Sequence, residues 1–254
     1  MTGPSLHSHH TRIHYILSCL REDFFADNGI LFCGGTMLTL THGEYRRADD
    51  IDFAPNPAQG GYRLLRNLIR SDASVLFKKL PPDITLSEAR YNQYGIKFEV
   101  QTGEASDLAN IPITFEIFLE TRLAAPGKPA FYPNIPVPCL NDNDLAVQKL
   151  LVNTDQGADT ALDNRDVYDL AILATTGQCD MKQAIVTANK TYDVEKSLDY
   201  ALSRTEDITL RTANFHNLAI EPAFWGRLED GMDCLRAHRG MMPLSLRIGN
   251  DMPA

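Results

Sequence analysis

Apolar residues recur along this chain with two different periods, and each change of period marks an element. From about Thr11 to Ala26, Ile13, Ile16, Leu17, Leu20 and Phe24 fall at helical spacing, and Asp27-Asn28-Gly29 stops the run. Ile30-Leu31-Phe32 then reads as a short buried strand. It leads through Cys33-Gly34-Gly35 into a helix over about Thr36 to Leu40, ended by His42-Gly43. At Asp50-Ile51-Asp52-Phe53 the period becomes two. Asp50 and Asp52 share one face of the predicted strand, and Ile51 and Phe53 share the other. After Pro55-Asn56-Pro57 and a turn at Gly60-Gly61, Tyr62 to Ile69 predicts an amphipathic helix. Leu64, Leu65, Leu68 and Ile69 face inward, and Arg63, Arg66 and Arg70 share the outer face. That arginine face reads as solvated, with a phosphate-backbone contact as the alternative.

Residues 84–119 alternate like a β-meander. The predicted strands are Ile84 to Arg90, a second through Ile96, Phe98 and Val100, and a third from Ile111 to Leu119. On the third, Glu116 points away from the apolar face. Pro126, Pro129, Pro133, Pro136 and Pro138 predict an extended connection, the one plausible seam in the chain. Beyond it the pattern is helical. The first helix is capped by Asp142 or Asn143 and runs to about Asn153. Others are predicted over Arg165 to Ala174, 180–190, 194–204 and 222–238, with a loose tail after them. The expected architecture is therefore α/β (α+β): a mixed sheet with packed helices over residues 1–138, followed by a helical region over residues 139–254.

Composition narrows the class. A chain of 254 residues with 44% hydrophobic and 22% charged residues is an ordinary soluble globular protein. No apolar run approaches the roughly 20 residues that span a membrane. The N-terminus lacks a basic start followed by an apolar run, so no signal peptide is expected. Five scattered cysteines without a C-x-x-C pair argue for reduced thiols in a cytoplasmic compartment and against a zinc site. His7, His9 and His10 sit in a polar, frayed terminus rather than a metal site. The net charge of −9 disfavours broad non-specific binding to nucleic acid, yet leaves room for a local basic groove. Neither G-x-S-x-G nor G-x-x-x-x-G-K-[ST] occurs, which argues against a serine hydrolase or a P-loop enzyme.

The candidate chemistry lies in two stretches. A glycine turn that opens a helix aims backbone N–H groups outward, where they can hold a phosphate. Two carboxylates side by side repel unless a cation lies between them, which points to a divalent metal at Asp50 and Asp52. Together they are the equipment for phosphoryl or nucleotidyl transfer.

The glycine pair followed by Asp-x-Asp resembles the nucleotidyltransferase superfamily. The string Gly34-Gly35-Thr36-x-Leu38, Arg47, Asp50-Ile51-Asp52-Phe53, with Lys149-Leu150 and Arg165-Asp166-x-Tyr168-Asp169-Leu170 downstream, resembles its AbiEii/AbiGii toxin branch over roughly residues 30 to 175. One position departs: Ala48 stands where the family usually has Ser or Thr. The resemblance implies Mg²⁺ or Mn²⁺ and an NTP substrate. It implies that Gly34, Gly35, Thr36, Arg47 and Lys149 hold the nucleotide. Asp50, Asp52 and a third carboxylate would hold the metal, with Glu116 in that third place and Glu99 as runner-up. Lys149 would work with Asp166 or Asp169, one of which orients it or takes a hydroxyl proton, so that Asp50, Asp52, Lys149, Asp166 and Asp169 form the catalytic set. Read without the family, Lys149 snorkels from an apolar helix, Arg165 pairs with Asp169, and Glu116 faces solvent.

The activity implied is transfer of a nucleoside monophosphate from an NTP to an acceptor hydroxyl, with release of pyrophosphate. The chain would be the toxin of a toxin–antitoxin or phage-defence pair. Its leading acceptor is tRNA, and its partner is a cognate antitoxin, often a winged-helix DNA-binding protein. Two other readings stay open: modification of a small molecule or a protein hydroxyl, and nucleotide binding with little catalysis.

Overall fold

The computed structural model describes residues 8–56, 62–103, 111–123, 126–156 and 159–247, and the chain divides into two units, residues 1–141 and 142–254. His7, the Gly60-Gly61 turn, the side chains of Arg63 and Leu64, and the tail over 248–254 lie outside the described residues.

The first unit starts with two helices, α1 (Ser8–Cys19) and α2 (Glu22–Asp27), where periodicity alone predicts one. The helix breaks because Leu20 and Arg21 pair with a neighbouring segment instead. Leu20 forms a β-bridge with Phe77, and the Arg21 N–H donates to the Leu76 carbonyl at 2.8 Å. Next come β1 (Ile30–Cys33), α3 (Gly34–Thr41), β2 (Asp50–Pro55), α4 (Tyr62–Ser71), β3 (Ile84–Leu86), β4 (Arg90–Tyr91), β5 (Gly95–Thr102), β6 (Ile113–Phe118), β7 (Ala130–Tyr132) and β8 (Ile135–Cys139). Among the described residues these strands make one mixed sheet, ordered β3-β5-β6-β2-β1-β8-β7, with β4 also paired to β5. On α4, Leu65 and Ile69 are buried as expected, but Leu68 is 48% exposed.

Two further expectations are corrected. The segment 84–90 is not one strand but β3 and β4, which pair with different parts of β5. The proline-rich segment is not a bare connection. It contains the β7–β8 hairpin, and β8 runs parallel to β1. Pro136 and Pro138 alternate along β8, so Ile135, Val137 and Cys139 keep their N–H groups for the ladder.

One face of the sheet is the core. Phe25 of α2 and Phe32 of β1 each meet the ring of Phe53 on β2, which stacks on Phe115 of β6, which stacks on Phe98 of β5, with centroids 4.5 to 5.3 Å apart. Each such pair adds about 0.5–1.5 kcal/mol beyond its area burial. Phe53 lies at the middle of this ladder and is fully buried. The residues between the aromatics therefore point to the opposite face, which sets where the chemistry can be.

The second unit holds helices α5 (Asp142–Gln156), α6 (Arg165–Ala174), α7 (Met181–Ala188), α8 (Val194–Arg204), α9 (Ile208–Asn217), α10 (Trp225–His238) and α11 (Leu244–Arg247). Of these α9 and α11 are absent from the sequence-based expectation. Asn143 does not cap its own helix; its side chain accepts a hydrogen bond from the Asp180 N–H at 2.8 Å. Helix α10 crosses α6 closely at Gly231, where a Cβ would lie 2.1 Å from the Ala171 carbonyl oxygen, so only glycine fits. Two buried arginines satisfy carbonyls at the end of α8: Arg211 donates to Thr205, and Arg236 to Leu202 at 3.2 Å.

Candidate active site

The site is built on the sheet face opposite the phenylalanine ladder. On β2 the alternation is as predicted: Ile51 and Phe53 are fully buried, Asp50 is exposed and Asp52 half-buried. Asp52 pairs in register with Cys33 of β1 on one side and with Glu116 of β6 on the other. Adjacent strands run about 4.8 Å apart, so Asp52 and Glu116 are immediate neighbours on one face. Glu99 falls elsewhere. It is opposite Thr114, which in turn is opposite Asp50, so a strand separates Glu99 from the aspartates.

The glycine turn closes over Asp52. Cys33 is extended and makes no side-chain cap to α3, and Gly34 takes φ +77°. A Cβ at Gly34 would lie 2.6 Å from Asp52 Oδ2. Glycine is thus required twice, for its backbone angle and for the approach of the carboxylate. The first turn of α3 starts beside that carboxylate, and the N–H groups of a helix's first turn are able to hold an anion. Thr36 is buried at 2% exposure, so the turn presents backbone rather than a hydroxyl. Arg47 lies in the loop before β2, where its Nε donates to Asp49 Oδ1 at 2.7 Å. An exposed pair of this kind is worth about 0–1 kcal/mol, so it holds the guanidinium only weakly.

The donor set fits a hard divalent cation. Asp50, Asp52 and Glu116 offer only oxygen, while the Cys33 thiol is turned to the Asp52 carbonyl at 3.5 Å. Among the described residues, no three His, Cys, Asp or Glu side chains already converge on one point. Mg²⁺ and Mn²⁺ in general take one or two protein carboxylates and complete their shell with water and substrate phosphates.

Two residues that shape the loop escaped the sequence reading. His10 is not in a frayed terminus; it is fully buried near the start of α1. Its Nε2 accepts from the Ala48 N–H at 3.1 Å. A backbone N–H can only donate, so Nδ1 carries the proton and donates to Glu44 Oε2 at 2.9 Å. The loop between α3 and Asp50 is therefore pinned at both ends by one ring. Arg46, in the same polar loop, is 4% exposed and donates to the Arg47 carbonyl at 2.8 Å. No local signal could reveal the histidine, since its partners lie more than thirty positions away. His10→Phe keeps the volume but leaves the Ala48 N–H without this acceptor. It is expected to destabilise the protein by about 1–3 kcal/mol in urea unfolding. An unchanged midpoint would remove the loop-pinning role.

In the second unit, Lys149 of α5 does not snorkel. It is 6% exposed, and its Nζ lies 2.9 Å from Asp166 Oδ1 and 2.6 Å from Asp169 Oδ2, both on α6. Asp166 and Asp169 are three apart and so reach the same ammonium. Asp169 is thereby taken by Lys149, and Arg165 has no ion pair among the described residues.

No helix of the described residues is long and apolar enough to cross a membrane. No curated protein sequence matches this one. Among solved structures, JHP933 from Helicobacter pylori is similar at TM-score 0.54 and 15% identity, covering 97% of each chain. A further Helicobacter pylori structure, assigned provisionally to the nucleotidyltransferases, is similar at TM-score 0.54 and 16% identity, covering 98% of this chain and all of that one. At such identities these likenesses speak for the fold. Residues 15–233 match the family described as nucleotidyl transferase AbiEii toxin of type IV toxin–antitoxin systems. With its glycine turn packed on an Asp-x-Asp strand and most of its length matched, the chain belongs to the AbiEii nucleotidyltransferase toxin family.

Proposed function

We propose that this protein transfers a nucleoside monophosphate from an NTP to the hydroxyl of an RNA acceptor, with tRNA foremost, and depends on Mg²⁺ or Mn²⁺. The observation that carries the reading is the packing of Asp52 against Gly34, with Glu116 beside it. That packing supports a phosphate cradle next to a carboxylate face. The acceptor oxygen attacks the α-phosphorus, a new P–O bond forms, and the bond to the β-phosphate breaks. Pyrophosphate leaves with the electron pair, and the hydroxyl proton passes to a neighbouring carboxylate. The first-turn N–H groups of α3 hold the triphosphate, and Arg47 swings from Asp49 onto it. Asp50 and Asp52 would hold the metal, with Glu116 next to them. When bound, the metal neutralises charge on the triphosphate and on the departing pyrophosphate. Lys149, Asp166 and Asp169 are proposed as the second functional set, because their motifs are the family's.

The protein would act as a toxin countered by a cognate antitoxin. Incubation with labelled NTPs, Mg²⁺ and bulk RNA is expected to put label on RNA. Label on protein, or nucleotide binding without transfer, would overturn the RNA reading. Expression without antitoxin is expected to arrest growth, with loss of translation first if tRNA is the acceptor. The Asp50→Ala/Asp52→Ala double variant should relieve the arrest at matched soluble levels. Equal arrest by both would mean that the harm is not catalytic.

A further inference from the structure

Glu116 is not the end of its row. Across the sheet Glu116 is opposite Lys97 of β5, and Lys97 is opposite Arg90 of β4. Register partners share a face, so Asp52, Glu116, Lys97 and Arg90 form one line over four strands. Its polarity changes midway: two carboxylates, then two cations. Lys97 Nζ is 3.7 Å from Glu116 Oε2 and its side chain is 56% exposed. Arg90 has no carboxylate partner among the described residues. By strand spacing Arg90 stands roughly 10 Å from Glu116. In a protein of net charge −9, two cations at the open end of the catalytic row stand out.

That end of the row opens into a cleft of about 510 Å³ lined by Arg90, Asn92, Tyr94, Lys97, Glu116 and Phe118, among others. Tyr94 is 68% exposed, and neither its ring nor its hydroxyl has a partner among the described residues. Its backbone is nonetheless held. Asn92 Oδ1 accepts from the N–H groups of Tyr94 and Gly95 at 2.7 and 3.0 Å, and the Tyr94 carbonyl accepts from the Leu119 N–H at 2.8 Å. Gly95 is the register partner of Phe118, and a Cβ there would lie 3.5 Å from the Phe118 Cβ. The missing side chain leaves that side of Phe118 uncovered. Cations for phosphates, with aromatic rings for bases, are the equipment of single-strand binding. A neighbouring cleft shares Arg90 and Lys97 but is also lined by Glu88 and Glu99, which repel a polyanion and limit the strand's course.

We propose that this cleft seats the acceptor as an unpaired nucleic-acid end of one or two nucleotides, with phosphate on Arg90 and Lys97 and a base on Tyr94 or Phe118. The inference rests on the nucleotidyltransferase reading above and assigns its acceptor site. The volume suits a ligand of that size and not a duplex.

The test uses the full chain with two separate measurements. The first is binding of a fluorescein-labelled single-stranded RNA tetranucleotide, and of its DNA counterpart, without NTP and at several salt concentrations. The second is binding of a non-hydrolysable NTP analogue with Mg²⁺. Tyr94→Ala is expected to weaken oligonucleotide binding by roughly 5- to 150-fold, the loss of one stacked base. Arg90→Ala is expected to weaken it and to lower the salt slope by about one. Both variants should raise the KM for the acceptor while leaving analogue binding as in the wild type. Oligonucleotide binding that is absent in the wild type, or unchanged in both variants, overturns the cleft assignment even if the analogue binds. An analogue that does not bind the wild type overturns the nucleotidyltransferase reading instead.

Discussion

Asp52→Asn is expected to lower nucleotidyl transfer by about a thousandfold or more while leaving the fold intact. The substitution keeps the shape of the side chain that packs on Gly34 and removes only its charge. Holding a divalent cation against the triphosphate is worth several kcal/mol at the transition state, and each 1.36 kcal/mol is tenfold in rate. Asp52 is half-buried at the sheet surface, away from the phenylalanine core, so unfolding should change by well under 1 kcal/mol. Asp50→Asn should lose less, because Asp50 stands exposed at the start of its strand and is not held by the turn. Initial rates of label transfer, with and without EDTA, check the result. Restoration by Mg²⁺ or Mn²⁺ after chelation is part of the expectation. Transfer at the wild-type rate in EDTA, or in Asp52→Asn, would sink the metal mechanism.

Lys149→Met is expected to destabilise the helical unit by about 3–5 kcal/mol, since it strands two buried carboxylates without their shared cation. In the variant, Asp166 and Asp169 repel each other inside the protein with no cation between them. The triple variant Lys149→Met/Asp166→Asn/Asp169→Asn should recover most of the stability. Urea unfolding of the single and triple variants tests this. If the triple variant regains stability but stays inactive, the cluster serves catalysis as well as folding. If it regains both, the cluster is a structural brace and Lys149 leaves the list of phosphate ligands. A midpoint unchanged by Lys149→Met would mean that the ammonium is not held as described.

Several parts of the site were legible in the chain. The Asp-x-Asp strand was readable because a period of two needs only neighbours. Glycine at Gly34 was readable because a strand-to-helix turn asks for it. Glu116 could be placed on the correct face by counting, yet its adjacency to Asp52 could not. That depends on β6 lying parallel to β2, and strand register is set by long-range pairing. The break between α1 and α2 was hidden for the same reason. The helical spacing through Leu20 is real, but Arg21 gives its N–H to Leu76, more than fifty positions on. In the β7–β8 segment prolines misled, because alternate residues retain their donors and a strand survives.

The chain by itself determined the elements whose physics is local: the Asp-x-Asp faces, the glycine turn, most helices, and the family motifs that ride on them. Tertiary structure alone decided which of these meet. It buried His10 against Ala48, drew Lys149 into the reach of both aspartates of α6, and set Glu116, Lys97 and Arg90 in line with Asp52. The reason is that burial and pairing depend on contacts between distant segments, and these are selected by packing of the whole core rather than by any window of sequence.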